Sequence, residues 1–495
     1  MRQKDYRHRK ECIMKGSRSP ILLFFAAIFM TMAVGGYFLF QDALPPEISL
    51  SPEGKQVYPG QKFIVTATDK ESAVRSITVS IRKNSQMQVL AKETFAQKAG
   101  QQTLEFALKG TFLRDGAFTV IVNATDTSFA GFGQGNSATR EYSYVLDTTP
   151  PKVTFKTAHP YVRRGGTGCV SYTLSRDVEK TGVTVNDWFF PAFKQENGDY
   201  ICFFAFPYFM TGQEYQPEVT VFDADNNKSA TRLPLYRVNH VFRTDTVRIN
   251  DRFLDTKMPE FEQQVPGTAS RLELFNKVNG ELRQSNAAKL REIGQKSGPR
   301  ALWADAFMAL PSGAVKAGFG EHRTYLYNDQ KQEVEATHLG LDLASTAKSP
   351  VPAGNAGTVV FAGYLGIYGN LVVIDHGLGL QSLYSHLSEI SVVEGQEVKR
   401  GDTIGRTGVS GMAVGDHLHF GVLVSGLEVS PIEWLDRKWI KDNIADRLSA
   451  AGTPGFALQE AQVEDSPAPA VEKPVQTPPA KKTSKQQKAT KKAKR

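Results

Sequence analysis

Nine histidines are spread over 495 residues, and five of them, His338, His376, His386, His417 and His419, fall in one stretch. In the run from Gly415 to Val424, the residues Leu418, Phe420, Val422 and Val424 alternate with the others. As a strand they form one apolar face, and His417 and His419 project together from the opposite face. Two imidazoles one strand period apart can point into one cleft; taken alone, the segment is equally a solvent-facing amphipathic strand. A second pattern, His338-Leu339-Gly340-Leu341-Asp342, sets an imidazole and a carboxylate four residues apart, and Gly340 permits a turn that lets both reach one ion. Zinc takes imidazole nitrogens and carboxylate oxygens in tetrahedral geometry, and a catalytic site leaves the fourth position to water. His338, Asp342 and His419 would supply three protein ligands, a count that suits catalysis better than a closed structural site. A third pattern runs from Leu380 to Ser388, where alternation puts Tyr384 and His386 on one strand face, with His386 near the metal as a base or a donor. The sequence has no His-Glu-x-x-His, so the glutamate base of the helical zinc proteases is missing. A histidine, with a pKa of about 6.5, is the natural substitute.

The elements that must position these residues read as mainly β. Segments such as Lys62–Thr68, Ser76–Ile81 and Phe118–Asn123 alternate, are β-branched and are separated by turn residues, which predicts antiparallel sandwich structure. A repeat is visible. Pro45-Pro46-Glu47-Ile48 recurs as Pro150-Pro151-Lys152-Val153, and Ser137-Ala138-Thr139-Arg140 recurs as Ser229-Ala230-Thr231-Arg232. We therefore expect two tandem β-sandwich modules, 45–147 and 148–240, which resemble bacterial immunoglobulin-like domains. Leu272, Phe275, Val278 and Leu282 recur at helical spacing, which predicts a helical connector over 245–298. Antiparallel β structure resumes over 313–436 and carries the histidines. The tail 462–495 is rich in Pro, Ala and Lys and has too few large apolar residues to bury a core, so disorder is expected there.

The net charge of +8 is concentrated at the two ends. Residues 1–20 carry +5 and residues 471–495 carry +8, which leaves −5 for everything between. A folded middle that is slightly acidic argues against a nucleic-acid partner. Residues 21–40 hold no charged side chain, and twenty apolar residues span about 30 Å as a helix, the thickness of a bilayer core. The run is longer than a signal-peptide core and ends in Phe38-Leu39-Phe40 rather than a small-residue cleavage site. A transmembrane helix is expected, anchoring the chain in the inner membrane. The basic flank 1–20 would be cytoplasmic and all later domains periplasmic or extracytoplasmic. Of three cysteines, Cys169 and Cys202 would then lie where disulfides persist; a bridge and two separate buried thiols fit the sequence equally.

The ordered motifs carry a resemblance. His338 to Asp342, Ile374-Asp375-His376-Gly377, Tyr384 to Ser388, the glycines around Asp402 and His417-Leu418-His419-Phe420 together resemble the catalytic domain of the lysostaphin-like zinc endopeptidases, metallopeptidase family 23. The resemblance implies that His338, Asp342 and His419 bind Zn2+, that His386 and His417 assist catalysis, and that His376 is structural. Where the family commonly has Pro and Glu, this sequence has Asp416 and Gly421. The implied activity is hydrolysis of peptide cross-links in peptidoglycan by a membrane-anchored endopeptidase. The alternative is a regulator of other wall hydrolases that has lost zinc ligands, and it conflicts with the presence of all five residues.

Overall fold

The computed structural model describes residues 20–39, 42–58, 60–157, 160–222 and 228–453. Most of the basic N-terminal segment and the whole of the tail 462–495 lie outside these residues, as does Cys12. The chain is mainly β, as expected. It divides into two compact units, one built on residues 1–150 and the other on 151–221 with 229–495.

The apolar run near the N-terminus forms the helix Pro20–Leu39. Among the described residues no helix is long and apolar enough to cross a membrane. That finding overturns the expected single-pass placement, with its cytoplasmic N-terminus, its inner-membrane anchor and its periplasmic C-terminal domains.

The first unit packs a three-stranded sheet, Glu47–Ser51, Lys62–Thr68 and Gln101–Ala107, against a five-stranded one that includes Val74–Lys83, Gly116–Asp126 and Ser137–Leu146. Alternation makes this arrangement. Phe63, Val65 and Ala67 from one sheet, and Ile77, Val79, Ile81, Val120 and Val122 from the other, are fully buried in a single core.

In the second unit, residues 151–235 form two small sheets that do not keep a core of their own. Phe203, Phe204, Phe206 and Tyr215 share one continuous apolar core with Trp303, Phe307, Trp434 and the strand residues Tyr384, Leu418 and Phe420. Cys169 and Cys202 are buried thiols in this core. The register pairs Cys169 with Phe203 and Val170 with Cys202, so the two thiols leave opposite faces of their sheet and form no bridge.

The segment expected as a helical connector begins with a strand, Thr244–Ile249, which runs parallel to Glu321–Tyr327. Helices follow at Asp251–Lys257, Arg271–Lys277 and Arg283–Gly294. The first two are capped: Asn250 accepts from the Phe253 amide and Ser270 from the Glu273 amide. Leu254, Phe275, Val278 and Leu290 turn inward onto the large sheet that follows.

That sheet has eight strands, all paired antiparallel. Its order is Ala314–Ala317, Leu341–Ala344, Leu418–Val424, Leu380–Leu387, Asn370–Asp375, Gly357–Tyr364 and Glu397–Val398, with Leu427–Val429 added beside Leu418–Val424. Both faces are covered. Val372, Ile374, Leu380, Tyr384, Leu418 and Phe420 face the core shared with residues 151–235. Leu371, Val373, Leu383 and Leu423 face the helices. The helix-covered face is the one that carries His419, since 419 and 423 share strand parity.

Candidate functional site

Register brings the site together. Asp342 pairs with His419, and His419 pairs on its other side with Ser385, so the three stand in one row across adjacent strands. Leu341, Phe420 and Tyr384 form the neighbouring row on the opposite face. His338 ends the strand Gln330–His338, three residues before Leu341–Ala344 begins. Gly340 lies between them, and its role is close approach: a Cβ there would meet Cε1 and Nε2 of His419 at 2.6 Å and the Phe420 carbonyl at 2.7 Å.

Three donor atoms converge. Oδ1 of Asp342 lies 2.9 Å from Nε2 of His338 and 2.9 Å from Nδ1 of His419, and the two nitrogens are 3.0 Å apart. His338 Nδ1 donates to the Gly318 carbonyl at 2.8 Å. In the neutral ring that bond commits the proton to Nδ1 and leaves the Nε2 lone pair facing the carboxylate. Lone pairs gathered this closely in a buried place repel one another unless a cation or extra protons sit among them. Two imidazole nitrogens and one carboxylate oxygen are also a ligand set of metal-binding chemistry, so the three residues fit a metal ion.

Two further histidines border this cluster. The ring of His386 is 4.9 Å from that of His417 and 5.7 Å from that of His419, centre to centre. Nε2 of His417 lies 3.5 Å from Oδ1 of Asp342. Each ring is fixed through its other nitrogen: His386 Nδ1 donates to the Ser410 carbonyl at 2.9 Å, and His417 Nδ1 to the Gly415 carbonyl at 2.6 Å. The tautomer so fixed turns both Nε2 atoms away from these carbonyls.

His386 reaches the site by a departure from alternation. Regular alternation would put it beside Tyr384, whose hydroxyl binds the Gly354 amide at 2.6 Å on the far face. Against the neighbouring strand, Asn370 pairs with Leu387 and Val372 with Tyr384, so one extra residue is accommodated between. His386 takes φ of +63° at that bulge. A left-handed backbone at a non-glycine residue costs about 1 kcal/mol or more, and bulges re-aim side chains beside active sites. The outcome is that His386 and Tyr384 lie on opposite faces.

Electrostatics separates the groups. Burial works against the charge of Asp342, yet the imidazoles of His338, His417 and His419 around it hold its carboxyl well below the usual range. Burial, joined by the neighbouring imidazoles, pushes His386 well down. Burial likewise lowers His419 to about 4. His417 is raised: burial opposes its charge, but the Asp342 carboxylate outweighs it. His376 stands apart, fully buried, with Nδ1 2.7 Å from the Ala356 carbonyl and Nε2 2.7 Å from the Ser382 hydroxyl.

Sequence reasoning did not pick out Arg323, Gly318 or Ser410. The last two act through backbone carbonyls, which any residue has, and Arg323 reaches Asp342 from a strand of a separate sheet.

Residues 336–431 match peptidase family M23. The chain is 41% identical over 95 residues to the DD-carboxypeptidase/endopeptidase Mpg of Neisseria meningitidis, covering 19% of this chain and 22% of that protein. It is 40% identical over 98 residues to the peptidoglycan DD-endopeptidase ShyA of Vibrio cholerae, covering 20% of this chain and 23% of that protein. The match therefore spans less than a quarter of either relative. Among solved structures, the catalytic domain of lysostaphin from Staphylococcus simulans is 29% identical, with 26% of this chain and 94% of that one covered and a TM-score of 0.22. The C-terminal part of this mainly β protein is a peptidase M23 domain.

Proposed function

We propose that this chain is a zinc endopeptidase that hydrolyses peptide cross-links of peptidoglycan. The observation that carries the reading is the convergence of His338 Nε2, His419 Nδ1 and Asp342 Oδ1 within about 3 Å of one another. The substrate class follows the relatives named for endopeptidase action, one of them on peptidoglycan.

In this reading His338, Asp342 and His419 hold zinc. Bound there, the ion supplies Lewis acidity toward a scissile carbonyl and lowers the pKa of water. His386 is the proton acceptor. Burial and two neighbouring imidazoles favour its neutral form, and the Ser410 carbonyl keeps its proton on Nδ1, so Nε2 is free to take one. His417 holds a proton on Nε2 beside the Asp342 carboxylate and can donate to a developing oxyanion or a departing amine. Behind the site, Leu341, Phe420 and Tyr384 are buried in the core on the opposite face of the sheet.

The test uses the full chain. Zinc is counted by elemental analysis, and purified peptidoglycan is digested and examined for newly exposed amino groups. About one zinc per chain and new peptide ends, both lost in His419→Ala, is the expected result. Zinc bound without cleavage of any wall type would sink the enzymatic reading, and absence of zinc would sink the site.

A further inference from the structure

The two oxygens of Asp342 have different surroundings. Oδ1 faces His338 and His419 at 2.9 Å each, whereas Oδ2 faces the guanidinium of Arg323, with Nη2 at 3.7 Å. That guanidinium is itself held. Its Nε donates to Oε1 of Glu321 at 3.2 Å, and Glu321 is buried. Glu321 and Arg323 stand two apart on the strand Glu321–Tyr327, so they share a face, and Glu321 lies opposite His338 in the register. One cation is thus suspended between two carboxylates, only one of which belongs to the metal cluster.

A carboxylate binds a cation through one oxygen or through both. An ion pair on Oδ2 opposes rotation of the group and leaves Oδ1 as its donor. We propose that Arg323 is a positioning residue that keeps Asp342 a one-oxygen ligand, with Glu321 fixing the guanidinium; this rests on the reading of His338, Asp342 and His419 as a zinc site. Arginine suits the task because its planar fork reaches two partners at once, while a lysine ammonium is a single compact charge. Outer partners of metal ligands act in this way: they orient the ligand without touching the ion. Arg323 touches neither substrate nor reacting atoms in this reading.

The experiment uses the full chain and two readouts, zinc affinity by competition with a chromophoric chelator and the visible absorption of the cobalt(II)-substituted protein. The variants are Arg323→Met, Arg323→Lys and the double variant Glu321→Gln with Arg323→Met. The double variant removes the buried acid that the first leaves unpaired. The expected result is a zinc affinity lower by about tenfold or more in Arg323→Met and in the double variant, with Arg323→Lys between them and the natural chain. The cobalt absorption should weaken in the same order as a second carboxylate oxygen enters and the coordination number rises. Unchanged or tighter zinc binding in the double variant overturns the proposal. So does a loss of affinity with an unchanged cobalt spectrum, which marks a merely structural role. A natural chain that binds neither ion overturns the zinc-site reading and this proposal together, an outcome distinct from the other two.

Discussion

Asp342 and His419 face each other across two antiparallel strands, with Oδ1 of one 2.9 Å from Nδ1 of the other. The pair is fixed by register, so a slip of one residue between the two strands would put the two side chains on opposite faces of the sheet. Replacing either residue removes a donor without disturbing the apolar faces. Asp342→Ala and His419→Ala are each expected to abolish stoichiometric zinc binding while the far-ultraviolet circular dichroism stays that of the natural chain. Zinc retained at one per chain in either variant would show that the cluster is not the metal site.

His386→Ala separates metal binding from proton transfer. His386 belongs to the bulge and is not among the three converging donors, so zinc content should hold. The rate of peptide-bond cleavage should fall by about a hundredfold to ten-thousandfold, the usual contribution of a positioned acid or base. His386→Asn tolerates the left-handed backbone better than alanine does. It should therefore recover stability relative to His386→Ala but no activity; recovery of cleavage would point to a structural role for His386.

Much of this site was legible in the sequence, and the reasons for the rest are physical. His417 and His419 were placed by strand alternation, which holds because Leu418, Phe420, Val422 and Val424 are buried in one core. His338 and Asp342 were brought together by spacing. His386 defeated the same rule, because a bulge adds one residue and reverses the face that alternation assigns to it. Gly340 was read as a turn residue, yet what the fold requires of it is room for the His419 ring. Arg323 carried no signal at all, since ion pairs between separate sheets depend on tertiary packing. The β-rich fold class was visible in alternating segments such as Lys62–Thr68. The sharing of one core between residues 151–235 and the peptidase sheet was not, because periodicity shows which face is buried and not what buries it.

Gly340→Ala tests the close approach directly. The added methyl would overlap the His419 ring and the Phe420 carbonyl, and the carbonyl belongs to a central strand that cannot retreat. Overpacking of this kind costs about 1–3 kcal/mol. A lower melting temperature together with weaker zinc binding is expected, because the ring displaced is the one that carries Nδ1. A variant with the natural zinc affinity would mean that His419 has more freedom than its contacts allow.

Glu433 provides a pH test away from the metal. Its carboxyl is buried, and burial raises its pKa to about 8, against the lowering effects of the Thr167 amide and Arg163. The Thr167 amide donates to Oε2 at 2.8 Å. The folded state therefore holds a proton that the unfolded chain, with the ordinary glutamate value of 4.5, gives up earlier. The stability this confers is fully present below the unfolded value and is lost as pH rises toward the folded one. Glu433→Gln mimics the protonated form at every pH and still offers an oxygen to the Thr167 amide. The variant should match the natural chain in melting temperature at about pH 5 and exceed it at about pH 8. Parallel melting curves for the two proteins across that range would mean that Glu433 is ionised in the fold, held by Arg163 more strongly than its burial opposes.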